Sequence, residues 1–187
     1  MTRPVAASAM ALFLLARPLL AEPATVENRI RTYGDWNVAC DADGCFAEQD
    51  IYEPESLKAG REKATLMAHL FLRRSGDTLR VKIEGPLNTA LEAQIGLFTD
   101  GAFLLLVPYQ TCNNACVAAS ELDEHMIRTI ASAGRIEIAW ASLDGKVHYY
   151  PISTTGYADA MQALGAQSGG ISGEEKMVIH PGDAEAH

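Results

Sequence analysis

Basic residues are scarce in this chain. Its 187 residues include 15 Lys and Arg against 24 Asp and Glu, which gives a net charge of −9 at pH 7. Proteins bind the phosphate backbone of nucleic acids, and the anionic surface of membranes, through clustered Lys and Arg. The composition therefore argues against a nucleic acid and against an anionic membrane surface as partners.

The chain also lacks an apolar run of about 20 residues, the length that spans a bilayer as a helix. Its N-terminal apolar stretch, residues 6–14, follows Arg3 and precedes Leu19-Leu20-Ala21, a segment typical of a cleavage site. We therefore predict a signal peptide over residues 1–21, no transmembrane segment, and a periplasmic or secreted location, with the outer envelope as an alternative. Cleavage would remove two arginines and no acid, so the net charge would go from −9 to −11.

Motifs for common kinds of catalysis are missing. There is no Gly-x-Ser-x-Gly nucleophile elbow, and no two cysteines have the two-residue separation of a redox Cys-x-x-Cys. The five histidines show no metal-ligand spacing within one element; they are His69, His125, His148, His180 and His187. The sequence predicts no catalytic residue, no metal site and no cofactor, and so a non-enzymatic protein.

Four cysteines form two close pairs, Cys40 with Cys45 and Cys112 with Cys116. In a cytosolic protein such pairs would suggest a zinc site, but an exported chain meets an oxidising compartment that favours disulfides. Of the three possible connectivities we predict Cys40–Cys45 and Cys112–Cys116, because each short interval contains turn residues. Closing so short a loop gives only about 2 kcal/mol, so these bonds would fix local turns.

Alternation of apolar and polar side chains, the period of a half-buried strand, recurs along the chain. It is clearest at residues 79–83 and returns at 36–40 and 136–140. Residues 103–107 are uniformly apolar, which predicts a strand buried on both faces, and Asp100-Gly101 before them predicts a hairpin turn. About eight strands and two short helices in all predict a β-sandwich.

The first predicted helix follows Cys116, with Ser120 as its N-cap and Asp123 three residues later. Residues 108–116 are accordingly predicted to form a turn from the strand at 103–107 towards that helix. A second short helix is predicted after Thr154.

Four segments follow along the chain. They are a signal peptide at residues 1–21, a loose lead-in at 22–32, a β-sandwich domain at 33–165, and an acidic tail at 166–187. The tail is rich in Gly and polar residues, and we expect it to be disordered.

Asp35, Trp36, Tyr149 and Tyr150 are candidates for an interaction surface. An exposed tryptophan beside an acid is able to anchor a partner, although the alternation of Trp36 with Val38 favours a place in the core. Tyr149 and Tyr150 are neighbours on a predicted strand and must point to opposite faces, so one ring is expected to be exposed.

Several motifs in order resemble the invasion-associated locus B (IalB) family. They are Tyr33-Gly34-Asp35-Trp36 before Cys40, Cys45 and Gln49; Pro108-Tyr109-Gln110-Thr111-Cys112 with Cys116-Val117-Ala118; Leu122-Asp123; and Ile152-Ser153 through Gly156-Tyr157 to Ala160. The resemblance implies an immunoglobulin-like β-sandwich with one or two short helices, exported to the envelope of a Gram-negative bacterium. Some members are linked to entry into host cells, and the family supplies no catalytic residue.

Three functional hypotheses follow. The leading one is a non-enzymatic exported protein that binds a protein or cell-envelope component, with a host-cell surface as a candidate partner through the resemblance. The others are an envelope-maintenance or stress factor without a host role, and a periplasmic enzyme. A sheet face with exposed aromatic side chains would favour binding, whereas a cleft lined by convergent polar groups would favour an enzyme.

Overall fold

The computed structural model describes residues 30–41, 43–75 and 78–168. The predicted signal peptide, the lead-in as far as residue 29, and residues 169–187 of the predicted tail lie outside the described residues. The strands are β1 Arg31–Tyr33, β2 Trp36–Asp41, β3 Gly44–Tyr52, β4 Leu66–Ser75, β5 Thr78–Gly85, β6 Ile95–Thr99, β7 Ala102–Val107, β8 Tyr109–Cys112, β9 Cys116–Leu122, β10 Ile136–Ala141 and β11 Val147–Ile152. The helices are α1 Pro54–Leu57, α2 Glu124–Ser132 and α3 Tyr157–Ser168.

Two antiparallel sheets enclose one apolar core. The larger sheet has the order β1-β2-β3-β4-β5-β9-β8 and the smaller one the order β11-β10-β6-β7. Side chains from the inner faces of both sheets and from α2 and α3 belong to the same buried cluster. The predicted mainly β class is confirmed, with eleven strands in the described residues where the sequence predicts about eight.

The immunoglobulin-like topology is not confirmed. Strands β1 to β5 follow one another as a meander within the larger sheet, whereas an immunoglobulin domain divides its early strands between its two sheets.

Strand β5 shows how alternation in the sequence builds the core. Leu79, Val81 and Ile83 are fully buried, and the charged residues between them lie on the outer face of the larger sheet. Helix α3 packs over the β1–β4 part of that sheet and buries Tyr157 and Leu164 against it. Packing of an apolar face, rather than intrinsic propensity, stabilises so short a helix.

The prediction that residues 103–107 are buried on both faces is wrong. Strand β7 is an edge strand of the smaller sheet, and Phe103 and Leu106 are 58% and 47% exposed on its outer face. Leu105 and Val107 face the core. The apolar run is continuous because β7 carries apolar side chains on its solvent face as well as on its core face.

The predicted start of the first helix is also wrong. Asp123, not Ser120, is the N-cap of α2, and its carboxylate accepts a hydrogen bond from the Met126 backbone N–H at 2.8 Å. Ser120 belongs to β9, whose pairing with β5 continues to Leu122. Sheet pairing therefore delays the helix by three residues, and residues 109–122 form the β8–β9 hairpin rather than a simple turn.

Two predicted boundaries shift. Arg31 and Thr32 pair with β2 as part of β1, so the lead-in is not loose there. Helix α3 continues through Ser168, so the first three residues assigned to the tail are helical.

A candidate binding face on the smaller sheet

Both cysteine pairs are disulfide-bonded at hairpins. Cys40 and Cys45 are directly paired across β2 and β3 with Cα atoms 3.9 Å apart, and Cys112 and Cys116 across β8 and β9 at 4.0 Å. No free cysteine occurs in the described part of the chain. These bonds indicate an oxidising, extracytoplasmic location. Within residues 30–168 as described, no helix has the length and apolar character needed to cross a bilayer.

Two of the four residues predicted for an interaction surface are buried. Trp36 is 1% exposed, and its indole N–H donates to the Ser153 carbonyl oxygen at 2.8 Å. Tyr150 is 5% exposed and stacks on Trp140 with ring centroids 4.4 Å apart. Neither ring is available to a partner, and the core placement favoured by the alternation of Trp36 is the one observed.

Tyr149 is 54% exposed on the outer face of β11, on the side opposite to Tyr150, as the sequence predicts for one of the two rings. Its ring lies 5.7 Å from that of Phe98 on β6, and Phe98 in turn lies 5.8 Å from Phe103 on β7. Three aromatic rings thus form a chain across the sheet. With Leu106 and Val147 they make up what we call the aromatic face: Phe98, Phe103, Leu106, Val147 and Tyr149.

Strand register explains why these side chains meet. One row across the sheet runs Tyr149, Ala139, Gly96, Leu106. Its two central residues are small, and the Phe98 ring folds into the space above Gly96, where a Cβ would stand 2.7 Å from Cε2 of Phe98. Small residues at the centre of the sheet therefore let the rings lie over the strands instead of standing away from them.

A charged pair lies beside the rings. Glu137 on β10 is the direct neighbour of Phe98, and its side chain is only 10% exposed. Nη2 of Arg135 approaches its Oε1 at 2.5 Å, while the Arg135 side chain remains 67% exposed. A carboxylate with a charged hydrogen-bond partner satisfies the requirement for burial. The exposed guanidinium supplies a polar group next to an apolar surface, as at the rim of a protein interface.

Sequence reasoning identifies only Tyr149 within this face. The apolar strand pattern around Phe98 and the Asp100-Gly101 turn predict that Phe98 and Phe103 are neighbours on a hairpin. The sequence therefore contains a signal that could place these two rings together. The pairing of β6 with the distant strand β10 carries no local signal, so the complete face becomes visible only in the structure.

Comparison with known proteins identifies the family. The family model described as Invasion associated locus B (IalB) protein matches residues 36–165. The chain belongs to the IalB family. A solved structure, invasion associated protein B from Bartonella henselae, is similar with a TM-score of 0.62 and 14% sequence identity, and the match covers 74% of this chain and 96% of that one. At that identity the likeness shows a shared fold. A search of curated proteins finds no match.

Residues that carry the IalB resemblance form a structural junction. Asp35 accepts a hydrogen bond from the Ser153 hydroxyl at 2.7 Å, and its backbone N–H donates to the Thr155 carbonyl at 3.1 Å. The Gln49 side chain is buried; its amide oxygen accepts from the Ser153 N–H at 2.8 Å, and its amide nitrogen donates to the Ser153 carbonyl at 3.2 Å. These bonds join the residue before β2, and Gln49 on β3, to the segment that follows β11. Asp35 is therefore occupied within the fold, although Arg61 also approaches it at 3.7 Å.

Two glycines of the same motifs make that junction possible. Gly34 has φ +58° and Gly156 has φ +82°, both in the left-handed region that favours glycine. A Cβ on Gly34 would stand 2.6 Å from the Thr155 carbonyl oxygen, and one on Gly156 would overlap the Tyr33 carbonyl group. The β1–β2 turn and the β11–α3 link approach so closely that neither accommodates a side chain.

One cluster has some of the residue types of a hydrolase. The Ser142 hydroxyl lies 3.1 Å from Nε2 of His148 and also bonds to the Asp144 carboxylate. In a serine triad the acid instead orients the imidazole through its other nitrogen. Here Asp144 binds the serine, and bonds from Lys146 and Ser142 hold the pKa of that carboxyl well below its usual range. This geometry closes the β10–β11 turn. The IalB family is not a known enzyme family, and no cluster of three metal-ligating side chains occurs among the described residues.

Proposed function

We propose that this IalB protein is an exported, non-enzymatic protein that binds another protein through the aromatic face of its smaller sheet. The face is the observation that carries the proposal. Phe103, Leu106, Val147 and Tyr149 are all about half exposed. Exposed apolar side chains grouped on one face indicate an interaction site.

Chemistry at the face suits a protein partner. Aromatic side chains and arginine are enriched among the residues that dominate interface energies, and truncating one of them costs about 2 kcal/mol or more at a well-packed centre. Tyr149 and Arg135 supply polar groups beside the rings. A partner would bury little further charge, since the Glu137 carboxylate is already paired.

Export follows from the disulfides together with the signal peptide proposed at residues 1–21, and the binding unit is the domain proposed at 33–165. The protein is periplasmic or secreted, with the outer envelope as an alternative destination. The family description and the name of the Bartonella protein refer to invasion. They support a partner at the host-cell surface. An envelope protein is the alternative partner, and would make the protein an envelope-maintenance or stress factor.

Affinity capture with surface variants tests the proposal. The mature chain, a Phe103→Ser/Tyr149→Ser double variant and a Leu143→Ser control are immobilised and exposed to envelope extract and to host-cell extract. Leu143 is 74% exposed outside the aromatic face, so its substitution removes exposed apolar surface without touching the site. We expect a partner that the wild type and the control retain and the double variant loses.

The source of the captured partner separates a host role from an envelope role. Equal retention by all three chains, or no specific capture from either extract, would contradict binding through this face. Circular dichroism and the unfolding midpoint of each chain establish that the comparison is between folded proteins.

A further inference from the structure

The outer face of the larger sheet contains a groove that gathers cations in a strongly acidic protein. The groove has a volume of about 580 Å³, and among the residues lining it are Phe46, Phe71, Arg73, Arg80, Lys82 and Thr111. That volume is within the range of about 300–1,000 Å³ that is typical of small-molecule sites. It lies on the sheet opposite to the aromatic face.

Arg73 and Arg80 are directly opposite each other on β4 and β5. Directly opposed like charges destabilise a sheet, so the opposition of these two guanidinium groups does not itself stabilise the fold. The two arginines differ in their partners. The Arg73 guanidinium binds both oxygens of Asp41, at 2.8 and 2.6 Å, and lies over the Phe46 ring at 5.2 Å.

Arg80 has no ion-pair partner among the described residues. Glu121 on β9 is directly opposite Arg80 on β5, yet no salt bridge joins these two described side chains. Arg80 is exposed, and its five N–H donors form a planar fork that matches the oxygens of a carboxylate or a phosphate. Among the cations of the groove, its guanidinium is therefore the one that no described acidic side chain pairs with, and it is the one best placed to bind a ligand.

Lys82 places a second cation on the β5 side of the groove, beside Arg80. It follows two residues later on the same face of β5, with its ammonium 4.1 Å from the centroid of the Phe71 ring and 2.8 Å from Glu84. The rings of Phe46 and Phe71 pack edge to face at 6.0 Å and form an apolar part of the groove. Asp41 and Asp43 also line it, and Asp41 is neutralised by Arg73.

We infer that this groove binds a small organic anion that combines a carboxylate or phosphate with an apolar or aromatic group. Arg80 takes the anionic group, supported by Lys82, and the apolar part lies against Phe71. The net charge of the protein opposes a small anion less than a polyanion, because a small anion held by Arg80 is screened from charges more than about 10 Å away, whereas a polyanion would also meet the acidic surface around the groove.

Titration with simple probes tests the site. Phenyl phosphate and benzoate each carry an anion and a ring; inorganic phosphate lacks the ring and benzyl alcohol lacks the charge. Backbone amide shifts of β5 and β8 are followed by NMR in the wild type, in Arg80→Gln and in the control Arg128→Gln, whose side chain pairs with Glu124 on α2. We expect saturable shifts with one or both of the first two probes, and affinity reduced about tenfold or more in Arg80→Gln alone.

The stronger of the two anionic probes identifies the ligand as a phosphate or a carboxylate. Arg80→Gln is also expected to unfold at the same denaturant concentration as the wild type or a higher one, because the opposed positive charges are gone. The inference is overturned if neither probe gives saturable shifts up to about 10 mM, a very weak affinity. It is equally overturned if benzyl alcohol binds as well as the anions, if Arg80→Gln binds like the wild type, or if that variant is destabilised.

Discussion

Replacing Gly156 by alanine tests the close approach on which the β1–β2 junction depends. Gly156 has φ +82°, and an added Cβ would overlap the Tyr33 carbonyl group. Gly145, in the β10–β11 turn, has φ +80° with no atom within 4 Å of the same added Cβ. The two substitutions therefore impose the same backbone strain, and only Gly156→Ala adds a steric conflict.

The expected losses follow from these two contributions. A non-glycine residue in the left-handed conformation costs about 1–2 kcal/mol, which is the loss expected for Gly145→Ala. Forcing an extra carbon into a packed site costs about 1–3 kcal/mol more. Gly156→Ala should therefore lower the free energy of unfolding by about 2–5 kcal/mol. The β1–β2 turn must move away from the added Cβ, which weakens the hydrogen bond from the Asp35 N–H to the Thr155 carbonyl.

Equilibrium denaturant unfolding with both disulfides intact measures the difference between the two variants. Gly34→Ala supplies a further check, because its Cβ would strike the other side of the same junction. The double variant Gly34→Ala/Gly156→Ala should lose less than the sum of the single losses, as one displacement of the turn relieves both conflicts. Losses for Gly156→Ala and Gly145→Ala that agree within about 0.5 kcal/mol, the ordinary range of surface substitutions, would refute the reasoning.

Three further predictions concern stability. Gln49→Leu removes both side-chain bonds to the backbone after β11 and should cost about 2–4 kcal/mol in denaturant unfolding, while Gln162→Leu on the exposed side of α3 should cost almost nothing. Asp123→Ala removes the N-cap of α2 and should cost about 1 kcal/mol, with a matching loss of helical circular dichroism if the first turn frays. The bond from Arg73 lowers the pKa of Asp41 to about 2, so this pair stabilises the fold above the unfolded-state pKa of about 4, and its contribution is lost as the pH falls to 2. The free energy of unfolding of Asp41→Asn should therefore fall less than that of the wild type between pH 4 and pH 2. The difference should be less than about 1 kcal/mol, because the pair is partly exposed. An identical pH dependence of the two proteins would contradict this assignment.

Local patterns predict much of the secondary structure because each pattern indicates which face of one strand or helix is buried. Leu79, Val81 and Ile83 alternate with charged residues, and that pattern alone places β5 in a sheet with one buried face. The Asp100-Gly101 turn is predicted equally well, since both residues take positive φ in the observed hairpin. Whether the second face of a strand is also buried cannot be predicted from such a pattern. The apolar run of β7 shows only that both of its faces carry apolar side chains. The sheet order is needed to show that none of the described elements covers its outer face.

Candidate sites are harder to predict because they depend on pairing between distant strands. Tyr149 and Leu106 stand in one row of the smaller sheet through β10 and β6, and no local motif encodes that order. The groove is a similar case. Arg73 and Arg80 belong to consecutive strands, yet their direct opposition depends on a register that the alternating pattern alone does not fix. A net charge of −9 also gives no sign that three cationic side chains will line one groove.

The residues that carry the family resemblance and those that carry the proposed binding surfaces are largely different. Asp35, Gln49, Ser153 and Gly156, which carry much of the IalB resemblance, are committed to joining β2 to the link between β11 and α3. None of the side chains of the aromatic face belongs to those motifs. Arg80 and Lys82 do not belong to them either, although Gln110, Thr111 and Val117 of the motifs line part of the groove. The motifs thus mainly specify a scaffold, while the two proposed binding surfaces lie on the outer faces of its two sheets. A partner found for one IalB protein therefore transfers to this chain only if the outer faces themselves match, and substitutions on those faces are the experiments that decide it.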